Sequence, residues 1–306
     1  MHVNEVDWII DGDHRAPPEL VNPTPTDADR VVANLIGAEI EDGACLPVGI
    51  GAMPNAVCSM LMHSGVRNQS VHAEMLTGGN IDLYRAGIIT GSAKQREPGK
   101  VVGRFALGSQ AMYAAIDRNP YILCRPLKMT NLRRSIMAND RLTAINATTQ
   151  MDLQGKAASE SDGQRHISST GGQAQFVRAA YASTGGKSFT CLWSTCERRG
   201  VRKSRIALNL TSGNVVTTSR SDMMYVVTEH GIVNLKGKSV PERACAMISI
   251  AHPDFRDSLE REARVHRLIP RSHACCLCIT RIAKAEATAP QAGRSHQSNA
   301  PQAGRR

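Results

Sequence analysis

Short apolar segments alternate with amphipathic segments along most of this chain. Segments such as 101–107 and 187–192 have the length and composition of buried strands. The segments between them, such as 27–40 and 172–181, repeat apolar residues at the three-and-four spacing of a helix. Strands that alternate with helices in this way predict an α/β fold whose mostly parallel sheet is flanked by helices.

The pattern predicts individual elements along the whole chain. We expect helices over 27–40, 54–62, 81–87, 109–116, 131–138, 172–181, 241–250 and 253–265. We expect strands over 6–10, 44–48, 70–75, 101–107, 121–124, 142–152, 187–192, 205–210, 215–218 and 223–228.

Proline and low-complexity segments divide the chain into three parts. A proline-rich connector follows the first strand-like segment, so residues 1–26 are predicted to be a linker that follows a missing N-terminal domain. Residues 27–270 are predicted to form the folded domain. The sequence Ala-Pro-Gln-Ala-Gly-Arg occurs at 289–294 and again at 300–305. Such repeats bury little apolar surface, and we expect 271–306 to be a disordered basic tail.

Charge and composition exclude several classes of function. The net charge is +10, but eight Lys or Arg and one Glu fall between Arg264 and Arg306, so the charge marks the tail and we predict no nucleic-acid partner. No apolar run reaches the ~18 residues of a membrane span. The first residues lack a signal-peptide pattern, which predicts a cytoplasmic location. The nine cysteines are irregularly spaced, which predicts reduced thiols.

The candidate chemistry centres on Glu74 and a glycine turn. The segment 48–53 reads as the end of a strand followed by a turn, and Pro54 opens a helix. Backbone N–H groups of such a turn approach a ligand closely, and the start of the helix adds positive charge. A carboxylate beside the turn is a nucleophile for a thioester carbonyl while the N–H groups hold the oxyanion. The alternative is a solvated glutamate at the end of a strand.

Three further motifs resemble ligand-binding or metal-binding sites, but each also has a structural interpretation. The turn at Gly171 and Gly172 opens a helix whose N–H groups would hold a phosphate, pantetheine or thioester oxygen, although most such turns are structural. His72 and Glu74 match the His-x-Glu part of a zinc deaminase, but the required Pro-Cys-x-x-Cys is absent, and we predict no metal. The segment 185–188 ends like a phosphate-binding loop but lacks the earlier glycine and runs into a strand, so we interpret it as a turn.

Taken together, these residues resemble the acetyl-CoA hydrolase/transferase family, most closely its 4-hydroxybutyrate CoA-transferase branch. The resemblance covers about 6–270 and rests on the order and number of its motifs. The motifs are those at 49–54, 72–75, 98–100, 146–155, 159–161, 171–173, 185–188, 204–206, 225–232 and 251–256.

The resemblance implies a C-terminal CoA-transferase domain that lacks its N-terminal partner domain. It implies a ping-pong reaction in which Glu74 forms an acyl-glutamyl anhydride and then a glutamyl-CoA thioester. It also implies that the acyl-CoA contacts are made by Gly49, Ile50, Gly51, Ala52, Met53, Thr149 and Gly172. Coenzyme A is then a substrate and product, with a short-chain carboxylate such as acetate as the second substrate, and no cofactor is expected. The expected assembly is a homo-oligomer or a complex with the missing half.

Three positions depart from the family's pattern. Thr149 stands where leucine is usual, Gln175 where aspartate is usual, and Trp193 where proline is usual. An acyl-CoA hydrolase, in which water replaces the second carboxylate, is an alternative to the transferase, because the two differ only in whether water reaches the site. An inactive remnant that binds CoA or a partner subunit is a further alternative, which the missing N-terminal domain favours.

Overall fold

The computed structural model describes residues 23–270, together with 4, 6–13, 15–20 and 272. The helices are α1 (Asp27–Gly37), α2 (Ala52–Leu61), α3 (Gly78–Arg85), α4 (Gln110–Ile116), α5 (Leu127–Thr130), α6 (Arg133–Ile136), α7 (Gln173–Ala182), α8 (Val240–Ser249) and α9 (Pro253–Val265). The strands are β1 (Val71–His72), β2 (Met75–Leu76), β3 (Val101–Gly103), β4 (Phe105–Ala106), β5 (Ile122–Cys124), β6 (Thr143–Ala147), β7 (Gln150–Asp152), β8 (Ala157–Ala158), β9 (Ser161–Asp162), β10 (Arg165–His166), β11 (Lys187–Cys191), β12 (Thr195–Arg198), β13 (Val201–Ser204), β14 (Ile206–Ala207), β15 (Tyr225–Thr228) and β16 (Gly231–Asn234).

A central sheet forms where two groups of strands meet at the extended segment 44–48. One group has the order β1-β3-β5 and the other β16-β15-β11-β6. The segment joins them because the Leu46 N–H donates to the Ser70 carbonyl at 2.8 Å and the Thr143 N–H donates to the Cys45 carbonyl at 2.7 Å. Both contacts are parallel, and so is every strand pair of the two groups except β15 with β16. The predicted α/β fold with a mostly parallel sheet is confirmed.

Helices cover both faces of this sheet. Successive side chains of a strand point to opposite faces, and two neighbours in β6 illustrate the result. Ile145 packs in the core with α1 and α2, whereas Ala144 packs in a second cluster with Phe176 of α7. A third cluster, around Met247 of α8, closes the C-terminal end of the domain.

The predicted strand over 70–75 is wrong as one continuous element. It divides into β1, which pairs with β3, and β2, which pairs with β4, and residues 73–74 form a bend between them. The bend is held because the Glu74 carbonyl accepts from the N–H groups of Arg104 at 2.8 Å and Phe105 at 3.3 Å. Glu74 therefore lies at a step in the sheet.

Several other predicted elements differ from the structure. Segment 6–10 pairs with no strand in the described part of the chain, and Trp8 is 88% exposed. The predicted helix 131–138 is shortened to α6, which follows the unpredicted short helix α5. The predicted strand 142–152 divides into β6 and β7, and 215–218 forms no strand. The hairpin of β12 and β13 was missed because its largely polar sequence lacks an apolar alternation.

Three predictions about the chain as a whole have different outcomes. The division at 26/27 stays a prediction, although α1 begins there with a capping box from Thr26. The tail at 271–306 lies outside the described residues apart from 272. Among the described cysteines, Cys245 is disulfide-bonded, whereas the thiols of Cys45, Cys58, Cys124, Cys191 and Cys196 are free, as expected of a chain without a disulfide framework. Within the described residues, every helix is too short or too polar to cross a membrane.

Candidate active site

The candidate site lies where the parallel strands of the central sheet end. Cys45 lies opposite Ser70, and Val48 lies opposite Ile145. Carried to the strand ends, this register brings Gly49 level with Glu74 on one side and with Asn146 on the other. Ligand sites in open α/β sheets form at this carboxyl edge. The glycine turn and the glutamate, which are 25 positions apart in the sequence, are thus brought to one edge.

Glu74 and Gly172 are in direct contact across the site. A side-chain carbon placed on Gly172 would collide with Glu74 Oε2 and would lie 3.2 Å from Glu74 Cδ. Gly172 is the N-cap residue of α7 and has no side chain to cap the helix. The half-buried carboxylate therefore lies at the positive end of the helix dipole, beside N–H groups that have no intrahelical partner.

The glycine loop 49–53 shapes the opposite side of the same edge. The Gly49 N–H donates to the Ile145 carbonyl at 3.1 Å, which anchors the loop to β6. Gly51 has φ +123°, a conformation that favours glycine, and it is the N-cap of α2. Ile50 is exposed, whereas the Met53 side chain is buried in the core. The loop would therefore contact a ligand through its backbone and Ile50, and not through the side chain of Met53.

Asn131 is a site residue that the sequence did not indicate. A side-chain carbon on Gly172 would lie 3.0 Å from Asn131 Nδ2, so this amide and the Glu74 carboxylate face the same point. Asn131 Nδ2 donates to Gln175 Oε1 at 3.0 Å, and Asn131 Oδ1 accepts from Thr130 Oγ1 at 2.9 Å. These two bonds fix the orientation of the amide. An amide carries two N–H donors, and the second is not used in the described part of the chain.

Two buried basic side chains support β1, the strand that leads to Glu74. His72 is 1% exposed, and its Nε2 bonds to the Thr130 carbonyl at 3.1 Å, which ties β1 to the segment before Asn131. Burial, with a smaller contribution from Lys94, lowers the pKa of His72 to about 4. Lys94 Nζ donates to the Val71 carbonyl at 3.0 Å, and burial lowers its pKa to about 8. His72 is therefore a neutral structural residue at neutral pH.

Thr149 lies between β6 and β7. Its hydroxyl is close to the Ala158 carbonyl at 2.7 Å and to the Ser161 carbonyl at 3.0 Å. The side chain is thus engaged by the backbone of the following segment. The predicted contact of Thr149 with CoA stays a prediction, as do the CoA contacts of the glycine loop and Gly172.

The arrangement combines a nucleophile with donors for a developing negative charge. Glu74 supplies the carboxylate, the start of α7 supplies N–H groups, and Asn131 supplies an amide. Preorganised donors of this kind stabilise the oxyanion of an acyl-transfer reaction. No proton transfer is needed when a carboxylate attacks a thioester and a thiolate leaves.

Comparisons with known proteins identify the family of this chain. A sequence model of the family described as acetyl-CoA hydrolase/transferase C-terminal domain matches residues 108–263. The butyryl-CoA:acetate CoA-transferase of Anaerostipes caccae is 41% identical over 275 residues, which cover 89% of this chain and 62% of that protein. The 4-hydroxybutyrate coenzyme A transferase of Clostridium kluyveri is 40% identical, with 86% of this chain and 60% of that protein covered.

A solved structure gives the same result for the fold. The crystal structure of RipA from Yersinia pestis matches with a TM-score of 0.80 and 41% identity, and the match covers 88% of this chain and 60% of that chain. Relatives named as acetyl-CoA hydrolases match at 24–25% identity. The chain spans about 60% of the length of the two CoA-transferases described above.

The family model alone covers just over half of the chain, and the relatives extend the match across Glu74 and the glycine loop. The chain therefore belongs to the acetyl-CoA hydrolase/transferase family.

Proposed function

We propose that this chain transfers CoA between an acyl-CoA and a free short-chain carboxylate through a covalent adduct on Glu74. The observation that carries the proposal is the contact between the Glu74 carboxylate and Gly172, the N-cap residue of α7, which has no side chain to cap the helix. Butyryl-CoA, acetyl-CoA and 4-hydroxybutyryl-CoA are the proposed acyl donors, and acetate is the proposed acceptor.

The reaction proceeds by four substitutions in which bonds and charges balance. The Glu74 carboxylate attacks the acyl carbonyl, the C–S bond breaks, and an acyl-glutamyl anhydride and CoA thiolate result. The thiolate attacks the glutamyl carbonyl, which releases the first acid as its carboxylate and leaves a glutamyl-CoA thioester. The second carboxylate attacks that thioester and displaces the thiolate, which then attacks the new acyl carbonyl and restores Glu74.

Each neighbour of Glu74 has a proposed role in these steps. The N–H groups at the start of α7 and the Asn131 amide hold the oxyanions, because both lie beside the carboxylate. The glycine loop 49–53 binds the thioester end of acyl-CoA through backbone N–H groups. Positioning the thiolate and the carboxylate within one site supplies the remaining acceleration.

Trapping of the adduct tests the proposal. After incubation with acetyl-CoA, mass spectrometry is expected to find a CoA-sized addition on Glu74 that hydroxylamine removes and borohydride reduces. The Glu74→Gln variant is expected to keep the fold and to form no adduct. A folded chain that binds CoA without forming an adduct would instead support the alternative of an inactive remnant.

A second candidate is an acyl-CoA hydrolase, which differs only in the last acceptor. The relatives named as hydrolases are 24–25% identical to this chain, whereas the relatives named as CoA-transferases that are described above are 40–41% identical. This difference favours the transferase. Release of acid faster than transfer to added butyrate or 4-hydroxybutyrate would favour the hydrolase. A cytoplasmic location, and assembly with a second copy or with a chain that supplies the remaining length of the relatives, stay predictions for fractionation and size analysis.

A further inference from the structure

A basic surface pocket adjoins the candidate active site. It is lined by Arg96, Lys128, Met129, Arg134 and Ser135. The surrounding sequence from 96 to 141 holds nine Lys or Arg and three Asp or Glu, so the excess positive charge extends beyond the pocket itself. We infer that this pocket binds phosphate groups of the acyl-CoA substrate, an inference that rests on the proposed function.

The cations of the pocket lack carboxylate partners. Among the described residues, the side chains of Arg96, Lys128 and Arg134 form no ion pair, whereas their neighbour Arg125 pairs with Glu97 at 2.5 Å. Like charges that converge without a counter-ion repel one another, and an anion relieves the repulsion. Arginine suits phosphate in particular because its planar fork donates two parallel hydrogen bonds.

A serine hydroxyl adds a neutral donor to the wall of the pocket. Ser135 lines the pocket, and within the described part of the chain its side chain has no hydrogen-bond partner. The residue is 5% exposed, and its hydroxyl is not fully buried. A phosphate oxygen in the pocket would accept from this hydroxyl.

The walls of the pocket are fixed before any ligand binds. The Arg96 N–H donates to Asn139 Oδ1 at 3.0 Å, which holds the loop of Arg96 against the end of α6. The Glu97–Arg125 ion pair ties the same loop to the residue after β5. A preformed site loses less entropy when its ligand is ordered.

The pocket is connected to the candidate active site through helix α5. Lys128 is in α5, and Asn131, whose amide faces Glu74 across Gly172, is the C-cap of the same helix. About one helical turn of backbone therefore separates Lys128 from Asn131. The flexible pantetheine arm of CoA would link a sulfur at Glu74 to phosphates bound on the far side of Asn131.

Two variants of the full chain, each of which replaces one arginine with a neutral glutamine, test the inference. Arg134→Gln removes a cation that lines the pocket, and Arg133→Gln removes its neighbour in α6, which does not line it. We expect Arg134→Gln to lower kcat/KM for acetyl-CoA by roughly tenfold or more, mainly through KM, and Arg133→Gln to lower it by less than about threefold. For S-acetylpantetheine, which has no adenosine phosphates, the two variants are expected to match the unaltered chain.

The outcomes separate this inference from the proposed function. An equal loss for both variants, or an equal loss with S-acetylpantetheine, would overturn the phosphate pocket and leave the transferase intact. If the chain turns over no thioester, calorimetric titration with CoA decides: weaker binding to Arg134→Gln than to Arg133→Gln supports the pocket, and equal binding overturns it. Titration with 3′-dephospho-CoA and with inorganic phosphate shows whether the bound group belongs to CoA or is a free phosphate.

Discussion

At the scale of single residues, the site depends on the absence of one side chain. Gly172 has φ −79° and ψ −7°, which any residue adopts, so the backbone does not require glycine there. The available space requires glycine, because Glu74 Oε2 and Asn131 Nδ2 occupy the volume that a Cβ would fill. Glycine at this position is therefore explained by the approach of the carboxylate.

Gly172→Ala is expected to slow adduct formation on Glu74 while the fold is kept. The added methyl group displaces the carboxylate from the start of α7, and a displacement of this size costs about a hundredfold in rate. The measurement is the rate of the CoA adduct by mass spectrometry, together with the melting temperature.

Gly171→Ala is the matched control for that substitution. A Cβ at Gly171 meets nothing within 4 Å, so this variant is expected to keep both activity and stability. If the two alanine variants form the adduct at the same rate, the assignment of the Glu74–Gly172 contact to catalysis is wrong.

At the scale of elements, the bend between β1 and β2 places the nucleophile. A continuous strand over 70–75 would keep Glu74 in the ladder, but the change of partner from β3 to β4 frees its side chain at the sheet edge. The same division occurs between β6 and β7, which carries Thr149 away from β11. The strand breaks are thus what opens the carboxyl edge to a ligand.

Helix α1 is tied to this sheet through Asp29, which is fully buried. Asp29 Oδ2 accepts from the Thr26 N–H at 2.8 Å and Asp29 Oδ1 accepts from Trp193 Nε1 at 3.0 Å. Asp29→Ala removes the capping box and leaves the indole N–H of the half-buried Trp193 unpaired. We expect it to lower the free energy of unfolding by about 2–4 kcal/mol in urea denaturation.

Asp27→Ala tests whether that loss belongs to the buried contacts. Asp27 is in the same first turn of α1, but its ion pair with Arg30 is exposed. Exposed ion pairs contribute little, so the expected change is below about 1 kcal/mol. Similar losses for both variants would show that α1 is held by its charge near the helix N-terminus, and not by Trp193.

At the scale of the whole molecule, the sequence predicted the parallel sheet, Glu74 and the glycine turns. It did not predict the polar side chains that surround Glu74. Alternating periods gave the parallel α/β order, and the turns at Gly49 and Gly172 were recognisable from local glycine chemistry. Asn131 was interpreted as part of a helix, because its place in the site depends on Gln175, which is 44 residues away. Contacts between polar side chains that are far apart in the sequence leave no periodic pattern of apolar residues by which they could be predicted.

The stability of the whole molecule also depends on pH through His72, which is the last residue of β1, two positions before Glu74. Its folded-state pKa, about 4, is below the ordinary value of 6.5 because burial disfavours the charged ring. The unfolded chain therefore takes up a proton first as the pH falls. Below 6.5 the unfolded state is favoured increasingly, until the folded ring also protonates near 4, so stability is lost between these two values and is flat below them.

We expect this histidine to remove about 3 kcal/mol of unfolding free energy between pH 6.5 and 4. His72→Gln keeps a side chain that can donate to the Thr130 carbonyl but has no charge to gain. Urea denaturation of the unaltered chain and of His72→Gln across this range gives two plots of unfolding free energy against pH. The difference between their slopes is the contribution of His72, because every other titratable group is common to both chains. Parallel curves would mean that the ring is protonated in the fold, and the neutral support inferred beneath Glu74 would then be wrong.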